Sequence, residues 1–457
     1  MATKRAPKPS STAAAPSRPP FMLIEQIQVK GYKSLVDATL HVKPLTLLAG
    51  TNSSGKSSIM QPLLLIKQTM EAPYQPAGAL VLDGAHVQAE TAGELISKID
   101  KYNDVFSIKI VEQKVDKLFK EDIEVSFRLD KLGFAILYQK SMLFNKEINL
   151  SPAMSWHEIE PQFDKIHLKF FGVAAHSAKV VMEAPFLKIQ VFDEKGIIDN
   201  VLLDEIVFSY DLSDLVLSIS HIPGLRTNPK RSYPATFLQK QIKGTFDFYS
   251  AGTISQWQQQ KNSDALTQLN EYLVRLGLTN SIEANVKNAN EVELSINRLP
   301  AGTKAKPKKS DMVNIADVGI GVSQVLPILV ALIAAQEGQI VYVEQPELHL
   351  HPRAQVVMAE LLAEAANRGV RVIVETHSSL ILLTIQTLIA QEKIKNTDVA
   401  LHWFARDAKG ATQVTYVQPD EDGAYGEWPE DFGDVELKAQ DAYLTAVGMR
   451  HSGKAAE

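Results

Sequence analysis

The sequence contains no cysteine and no apolar run long enough to span a membrane. The missing cysteines exclude disulfides and thiolate zinc sites and fit a reducing compartment. Lysine and arginine number 47 against 53 for aspartate and glutamate, and this net charge of −6 excludes a uniformly basic surface. Any nucleic-acid contact would therefore need a local basic patch. These absences predict a cytoplasmic protein without a membrane segment.

The most informative motif that is present is GTNSSGKSS at residues 50–58, between an apolar strand at 45–49 and a helix. In this context the backbone N–H groups of the loop wrap anionic oxygens, and the helix N-terminus adds its positive end. Lys56 is expected to reach the outer phosphates and Ser57 to hold magnesium. The motif predicts a nucleoside triphosphate site with Mg²⁺. Its binding residues are Asn52, Ser53, Ser54, Gly55, Lys56, Ser57 and Ser58.

A second block places polar residues directly after a buried strand. Residues 340–343 and 370–374 are typical of buried strands, and the helix predicted between them completes a parallel βαβ unit. Glu344 follows the first strand, at the edge where open α/β sheets bind ligands. Glu344 is therefore predicted to be a carboxylate ligand for magnesium, and the adjacent Gln345 is predicted to orient the attacking water.

A histidine, His377, follows the second of these strands. If it lies on the same rim as Glu344, it can contact the γ-phosphate of the nucleotide. The alternative is that it caps or packs against the helix that begins near residue 378. The strand and helix pattern alone leaves both interpretations open.

These motifs, in this order, resemble the ABC-type ATPases of the SMC, RecF and OLD group. Residues 31–34 (GYKS) look like the first strand and turn of that group, and residues 344–352 (EQPELHLHP) like its Walker B and D-loop. Residues 317–324 (DVGIGVSQ) resemble the signature motif, and residues 376–378 (THS) the switch-histidine loop. The resemblance implies an α/β fold, namely a P-loop NTPase of the ABC/SMC head type with a mixed sheet and helices. It also implies that ATP and Mg²⁺ are the cofactors and that ATP is hydrolysed.

The distribution of these motifs predicts the domain organisation of the 457 residues. Alternating apolar and polar residues in the middle of the chain predict an inserted, strand-rich subdomain. The first residues are rich in Ala, Pro, Ser and Lys and lack a secretion signal. The predicted parts are a disordered basic tail (1–20), an ATPase N-lobe with Walker A (21–103), the inserted β-rich subdomain (104–217), a helical subdomain (218–300), an ATPase C-lobe with signature, Walker B and switch histidine (301–410), and a C-terminal extension (411–457).

The resemblance also implies a shared site between two copies of the chain. In this group the signature motif contacts the nucleotide of the opposite subunit, which gives that role to Gly319, Gly321 and Ser323 here. One chain carries one phosphate loop and one signature motif. The implied assembly is a homodimer or a higher even-numbered homo-oligomer.

The sequence departs from the group at the usual catalytic glutamate, which is Gln345 here. Glutamine orients water but cannot accept its proton. The resemblance therefore implies either slow hydrolysis or a base supplied by Glu347. The usual signature serine aligns with Gly319, so Ser323 or backbone N–H groups would take its place.

The chain is more similar still to the OLD-like AAA-family branch of bacterial defence operons, through residues 221–226 (HIPGLR) and 428–432 (WPEDF). OLD nucleases carry a C-terminal Toprim domain, whereas only 80 residues follow His377 here. The resemblance implies an ATPase subunit that acts as sensor or scaffold for a separate effector, a nuclease or toxin, in anti-phage defence. A phage-derived molecule would be its trigger.

Two other functions stay open at this stage. One is a DNA repair-type ATPase that acts directly on DNA, although the sequence has no long heptad repeat to favour it. The other is a P-loop kinase or GTPase. Enzymes of those classes have no signature motif before a late Walker B strand, so the motif order here does not favour this function.

A run of lysines has two interpretations: it binds the phosphates of a nucleic acid, or it is a solvated loop. Its residues are Lys304, Lys306, Lys308 and Lys309.

Overall fold

The computed structural model describes residues 23–74, 78–112, 122–143, 146–162, 177–183, 185–193, 196–197, 210–235, 241–303, 308–426 and 441–447. The predicted basic tail at 1–20, the motif at 428–432, and Lys304 and Lys306 lie outside the described residues. Of the helices in the described ranges, none combines the length and the apolar character that crossing a membrane requires.

The elements are numbered in chain order. The strands are β1 (Ile24–Tyr32), β2 (Leu35–His41), β3 (Leu45–Gly50), β4 (Val105–Glu112), β5 (Asp122–Asp130), β6 (Gly133–Leu143), β7 (Lys146–Leu150), β8 (Ser177–Glu183), β9 (Phe186–Asp193), β10 (Gly196–Ile197), β11 (Ser220–Ile222), β12 (Tyr233–Pro234), β13 (Ile282–Asn288), β14 (Glu291–Asn297), β15 (Met312–Asn314), β16 (Ile340–Glu344), β17 (Arg371–Glu375), β18 (Val399–Arg406) and β19 (Thr412–Val417). The α-helices are α1 (Lys56–Glu71), α2 (Trp156–Ile159), α3 (Tyr210–Ser218), α4 (Ser250–Gln259), α5 (Ser263–Arg275), α6 (Ile320–Ala334), α7 (Pro352–Asn367) and α8 (Ser379–Ala390).

The central sheet has the strand order β11-β16-β17-β3-β18-β19. Its pairs are parallel except the last, where β19 returns antiparallel to β18. Strands β3, β16 and β17 are nearly continuous apolar runs, as expected for parallel strands that are covered on both faces. Side chains alternate between the two faces along β16, so that Tyr342 packs into one hydrophobic core and Val341 and Val343 into the other.

A second sheet is antiparallel, with the order β2-β1-β4-β5-β6-β7. Helix α1 packs between this sheet and one face of the central sheet, which explains why its leucines and isoleucines are buried around most of its circumference. Strand β4 pairs directly with β1, with Val29 opposite Ile108. The strands at the start of the predicted inserted subdomain therefore continue the sheet of the N-terminal strands.

The other face of the central sheet is covered by helices, chiefly α4 to α8. Two smaller antiparallel sheets complete the described structure, one of β12, β13, β14 and β15 and one of β8, β9 and β10. The predicted α/β class, with a mixed sheet and helices, is confirmed. The domain boundaries stay a prediction.

Candidate functional site

The predicted phosphate loop connects β3 to α1, and two of its glycines have a positive φ. Gly50 has φ 143° and Gly55 φ 101°, a region that side chains with a Cβ atom rarely adopt. A Cβ atom on Gly50 would lie 2.1 Å from the carbonyl oxygen of Phe404, and one on Gly55 2.5 Å from Oγ1 of Thr412. The β18–β19 hairpin therefore packs so closely against the loop that only glycine fits.

The same hairpin holds the loop through a buried hydroxyl. Oγ1 of Thr412 lies 2.8 Å from the carbonyl oxygen of Ser54 and 2.8 Å from the hydroxyl of Ser34. The backbone N–H of Thr412 also donates to the carbonyl of Ser34 at 2.8 Å. One threonine thus ties together the β1–β2 turn, the hairpin and the phosphate loop.

Lys56 begins helix α1, and its side chain is buried beneath the loop. Its Nζ donates to the carbonyl oxygens of Gly50, at 3.1 Å, and Thr51, at 2.8 Å. Burial lowers the pKa of Lys56, while the nearby carboxylates of Glu375 and Glu347 oppose that shift. The ammonium group is therefore held against the loop itself.

A cavity of about 560 Å³ opens over the loop. Its lining residues are Asn52, Ser53, Ser54, Gly55, Lys56, Ser57, Ser58, Gln345, Glu375, His377 and Arg406. All seven predicted loop residues, together with Gln345 and His377, converge on this one space. The carboxyl ends of four parallel strands, β16, β17, β3 and β18, meet there because they share one edge of the sheet.

Two of the lining residues were not predicted from the sequence. Glu375 is the last residue of β17, and the argument that selected Glu344 at the end of β16 applies to it equally. Arg406 is the last residue of β18 and carried no recognisable signal, because no motif marks that strand.

Glu344 does not line the cavity; both of its carboxylate oxygens have protein partners. Oε1 lies 3.2 Å from Nε2 of His221, and Oε2 accepts from the backbone N–H of Gly224 at 3.0 Å. Burial on its own raises the pKa of Glu344, but the hydrogen bond and charge of His221 and the bond from Gly224 bring the pKa below its ordinary value. Glu344 is therefore an oriented carboxylate.

A buried chain of titratable groups continues from His221 away from the cavity. Nδ1 of His221 lies 3.0 Å from Nδ1 of His86, and Nε2 of His86 lies 3.2 Å from Oε2 of Glu71. Oε1 of Glu71 lies 2.9 Å from Nζ of Lys67, whose side chain is 0% exposed. This chain links Glu344 at the rim of the central sheet to the second half of helix α1. Sequence reasoning missed it because its members are far apart along the chain.

Gln345 and Glu347 occupy different positions relative to the cavity. Gln345 lines it, has φ 47°, and donates its backbone N–H to the carbonyl of Glu375 at 2.7 Å. Glu347 does not line it: Oε2 accepts from the hydroxyl of Thr376 at 2.9 Å, and Oε1 from the backbone N–H of His377 at 2.7 Å. Burial raises the pKa of Glu347. Its carboxylate holds the loop that carries His377.

Two further groups act on these residues. Burial lowers the pKa of His377, and the positive charge of Lys56 lowers it further, which favours the neutral imidazole.

Nη2 of Arg226 donates to the carbonyl oxygens of Glu344, at 2.7 Å, and Gln345, at 3.3 Å. Arg226 thereby fixes the backbone that turns away from β16.

The predicted signature residues lie elsewhere on the surface. Gly319 is the N-cap residue of α6 and is exposed, and among the described residues a Cβ atom added there would meet no atom within 4 Å apart from its own chain neighbours. The hydroxyl of Ser323 donates to the carbonyl of Ile320 at 2.8 Å. Neither of these residues nor Gly321 lines the phosphate-loop cavity. Within one chain, the loop and the signature residues are not brought together.

Comparisons with known proteins identify the family of the chain. A family model described as AAA ATPase domain matches residues 22–382. No curated protein matches the chain. Among solved structures, the chain is similar to the Smc head domain with an extended coiled coil bound to the C-terminal domain of ScpA, derived from Pyrococcus furiosus. The two are 11% identical, the match covers 87% of this chain and 96% of that chain, and the TM-score is 0.47. The chain is also similar to the SMC head domain from Thermotoga maritima, at 11% identity over 87% and 99% of the two chains, with a TM-score of 0.37.

Proposed function

The chain belongs to the AAA ATPase domain family, and from this premise we propose that its phosphate-loop cavity binds ATP. The observation that carries the proposal is the convergence of residues 52–58, Gln345 and His377 on one cavity at the N-terminus of α1. Backbone N–H groups and the helix dipole attract the phosphate oxygens there. Lys56 supplies a cation for the outer phosphates.

A magnesium ion fits the oxygen ligands of the site. Mg²⁺ prefers hydroxyl, carboxylate and phosphate oxygens and is usually held by one or two carboxylates plus the phosphates. We assign its protein ligands to the Ser57 hydroxyl and, directly or through water, to the Glu344 carboxylate that His221 and Gly224 orient. When bound, the ion neutralises charge on the transferring phosphoryl group.

We propose that the chain hydrolyses ATP slowly. Gln345 is placed to orient water but cannot take its proton, and neutral His377 is suited to a hydrogen bond with the γ-phosphate. Glu347 is the proposed base. In that role one of its carboxylate oxygens must give up its hydrogen bond from Thr376 or His377 and accept one from the attacking water instead. That exchange is a further reason to expect slow turnover.

Binding should be visible as ligand-induced stabilisation. With ATP and Mg²⁺ at about 100 times the dissociation constant, the free energy of unfolding should rise by about 2.7 kcal/mol, because ligand binds only the folded state. Lys56→Ala should lose most of this gain, since the cation that faces the phosphates is removed. Thermal unfolding with and without MgATP measures both.

Lys409→Ala is the matched control, because Lys409 is an exposed lysine of the β18–β19 hairpin outside the cavity lining. It should keep the full stabilisation. A folded Lys56→Ala protein that is stabilised by MgATP as much as the parent would contradict the site.

We further propose that ATP brings two copies together, with Gly319, Gly321 and Ser323 of one copy reaching the nucleotide of the other. MgATP should shift the measured mass from monomer to dimer or to a higher even-numbered oligomer. Gly321→Asp should abolish the shift because it places a carboxylate against the triphosphate. The substitution fits the fold, since the nearest contacts of a Cβ there are an ordinary 3.7 and 3.8 Å.

The control for this measurement is Gly93→Asp, at a glycine whose Cβ would have its nearest contact at 4.0 Å. It should dimerise like the parent. An oligomer that forms equally in Gly321→Asp would rule out the shared site.

At the level of the cell, we propose that this ATPase is a sensor or scaffold that controls a separate nuclease or toxin in anti-phage defence. The support is the resemblance of residues 221–226 to the OLD-like branch, where Arg226 and Gly224 contact the Walker B segment. A long-lived ATP-bound state suits a subunit that waits for a trigger. The test is purification with the products of neighbouring genes; a chain that retains none of them contradicts the effector.

A further inference from the structure

The strand order of the central sheet puts a second carboxylate nearer to the phosphate loop than Glu344. Strand β17 lies between β16 and β3, and its last residue, Glu375, is in register with Glu344. In register with β3, Glu375 pairs with Leu48, two residues before the loop begins at Gly50. Glu344 is one strand further away.

The contacts of Glu375 point to the metal side of the site. Glu375 lines the same cavity as Ser57, the residue assigned to magnesium. The Oε2 of Glu375 accepts from the hydroxyl of Tyr342 at 3.3 Å. Glu375 is only 4% exposed, and the surface that it retains lines the cavity.

Glu375 and Glu344 bring two carboxylates together at the ends of adjacent strands. Burial raises the pKa of Glu375 and the charge of Glu344 raises it further, whereas Ser57 and the charge of Lys56 lower it. Two neighbouring carboxylates in a poorly solvated place repel each other, and a divalent cation removes that repulsion.

A separate feature of the same cavity also points to a ligand. Ser54 lines the cavity and is 1% exposed, yet its hydroxyl has no hydrogen-bond partner within the described ranges. Buried polar groups without partners are rare in folded proteins, and a ligand oxygen is one way to satisfy them. The phosphate loop is therefore organised around a group that brings oxygens to it.

We propose that Glu375 is the carboxylate that couples magnesium to nucleotide in this site, beside the Ser57 hydroxyl that would hold the ion. The proposal rests on the proposed ATP function. Without metal, the charge of Glu375 opposes the triphosphate; a bound Mg²⁺ would offset that repulsion. Glu344, held by His221 and Gly224, completes the site from one strand further out.

The experiment is a titration of ATP by calorimetry, once in EDTA and once in saturating Mg²⁺. The parent should bind ATP at least about tenfold more tightly with Mg²⁺, because a divalent cation shields the triphosphate from the carboxylates. Glu375→Gln should bind metal-free ATP several-fold more tightly than the parent and reduce the effect of Mg²⁺ to about threefold or less. Glu283→Gln, at an exposed position of β13, is the control and should behave like the parent.

Glu375→Asp keeps the charge but shortens the side chain, and it should retain a Mg²⁺ effect while weakening affinity for MgATP. It also tests the proposal if Glu375→Gln does not fold. Undiminished Mg²⁺ dependence in Glu375→Gln, or a Glu375→Asp protein with parental MgATP affinity, overturns the role of Glu375 and leaves the ATP site standing. A parent that binds no ATP in either buffer overturns the proposed function itself.

Discussion

Replacing Lys67 with alanine is expected to lower the free energy of unfolding by about 3–5 kcal/mol, because it leaves Glu71 without its cation in a buried site. The Nζ of Lys67 also donates to the carbonyl oxygens of Leu217, at 2.9 Å, and Ile242, at 2.6 Å. The lysine therefore joins helix α1 to the end of helix α3 and to the segment that leads into α4. Equilibrium unfolding in urea measures the change.

The matched control is Lys30→Ala. Lys30 forms an ion pair with Asp37 at 3.3 Å, but the two side chains are 49% and 52% exposed. Exposed pairs contribute about 0–1 kcal/mol, so this variant should unfold almost like the parent. Equal losses of unfolding free energy in Lys67→Ala and Lys30→Ala would show that burial does not increase the contribution of the Lys67–Glu71 ion pair to stability.

A second variant at this position, Lys67→Met, examines the link to the functional site. Glu71 contacts His86, and His86 leads through His221 to Glu344. If the chain of groups orients Glu344, a folded Lys67→Met protein should also bind MgATP more weakly. Affinity unchanged from the parent would limit the network to stability.

Replacing Gln345 with glutamate is expected to raise the ATP turnover number by about 10², because it adds a general base where only a water-orienting amide stands. The backbone at this position is fixed from two sides. Its N–H donates to the carbonyl of Glu375 at 2.7 Å, and Arg226 donates to its carbonyl at 3.3 Å. The new carboxylate should therefore point into the cavity as the glutamine does. Steady-state phosphate release measures the rate.

The new charge also lies near the triphosphate, so the KM for ATP should rise while kcat increases. Gln391→Glu, at an exposed position after helix α8, adds the same charge elsewhere and should leave both constants unchanged. A Gln345→Glu protein that is no faster than the parent would mean that proton transfer to this position does not limit turnover.

The local elements of the nucleotide site could be predicted from the sequence. The glycines, Lys56 and Ser57 act within one loop of nine residues, and their geometry follows from the strand before them and the helix after them. The sequence also predicts that Glu344 and His377 lie at strand ends, because runs of apolar residues mark the buried parallel strands before them. His377 does line the cavity, together with Gln345.

The order of the strands could not be predicted in this way. Apolar periodicity shows that β16 and β17 are buried, but their hydrogen-bonded neighbours are set by packing across the whole sheet. Because β17 lies next to β3, Glu375 lines the cavity, whereas Glu344 on β16 does not. Arg406 reaches the same rim from β18 for the same reason.

The sequence by itself determined the phosphate loop and the fold class, because both depend on short-range spacing and on the alternation of apolar residues. Only the tertiary structure decided which carboxylates face the loop and how Glu344 is held. Those contacts join residues as far apart as Glu71, His221 and Glu344, and no local pattern encodes which of many buried polar groups will meet. Burial forces such groups to find partners, and the fold as a whole selects them.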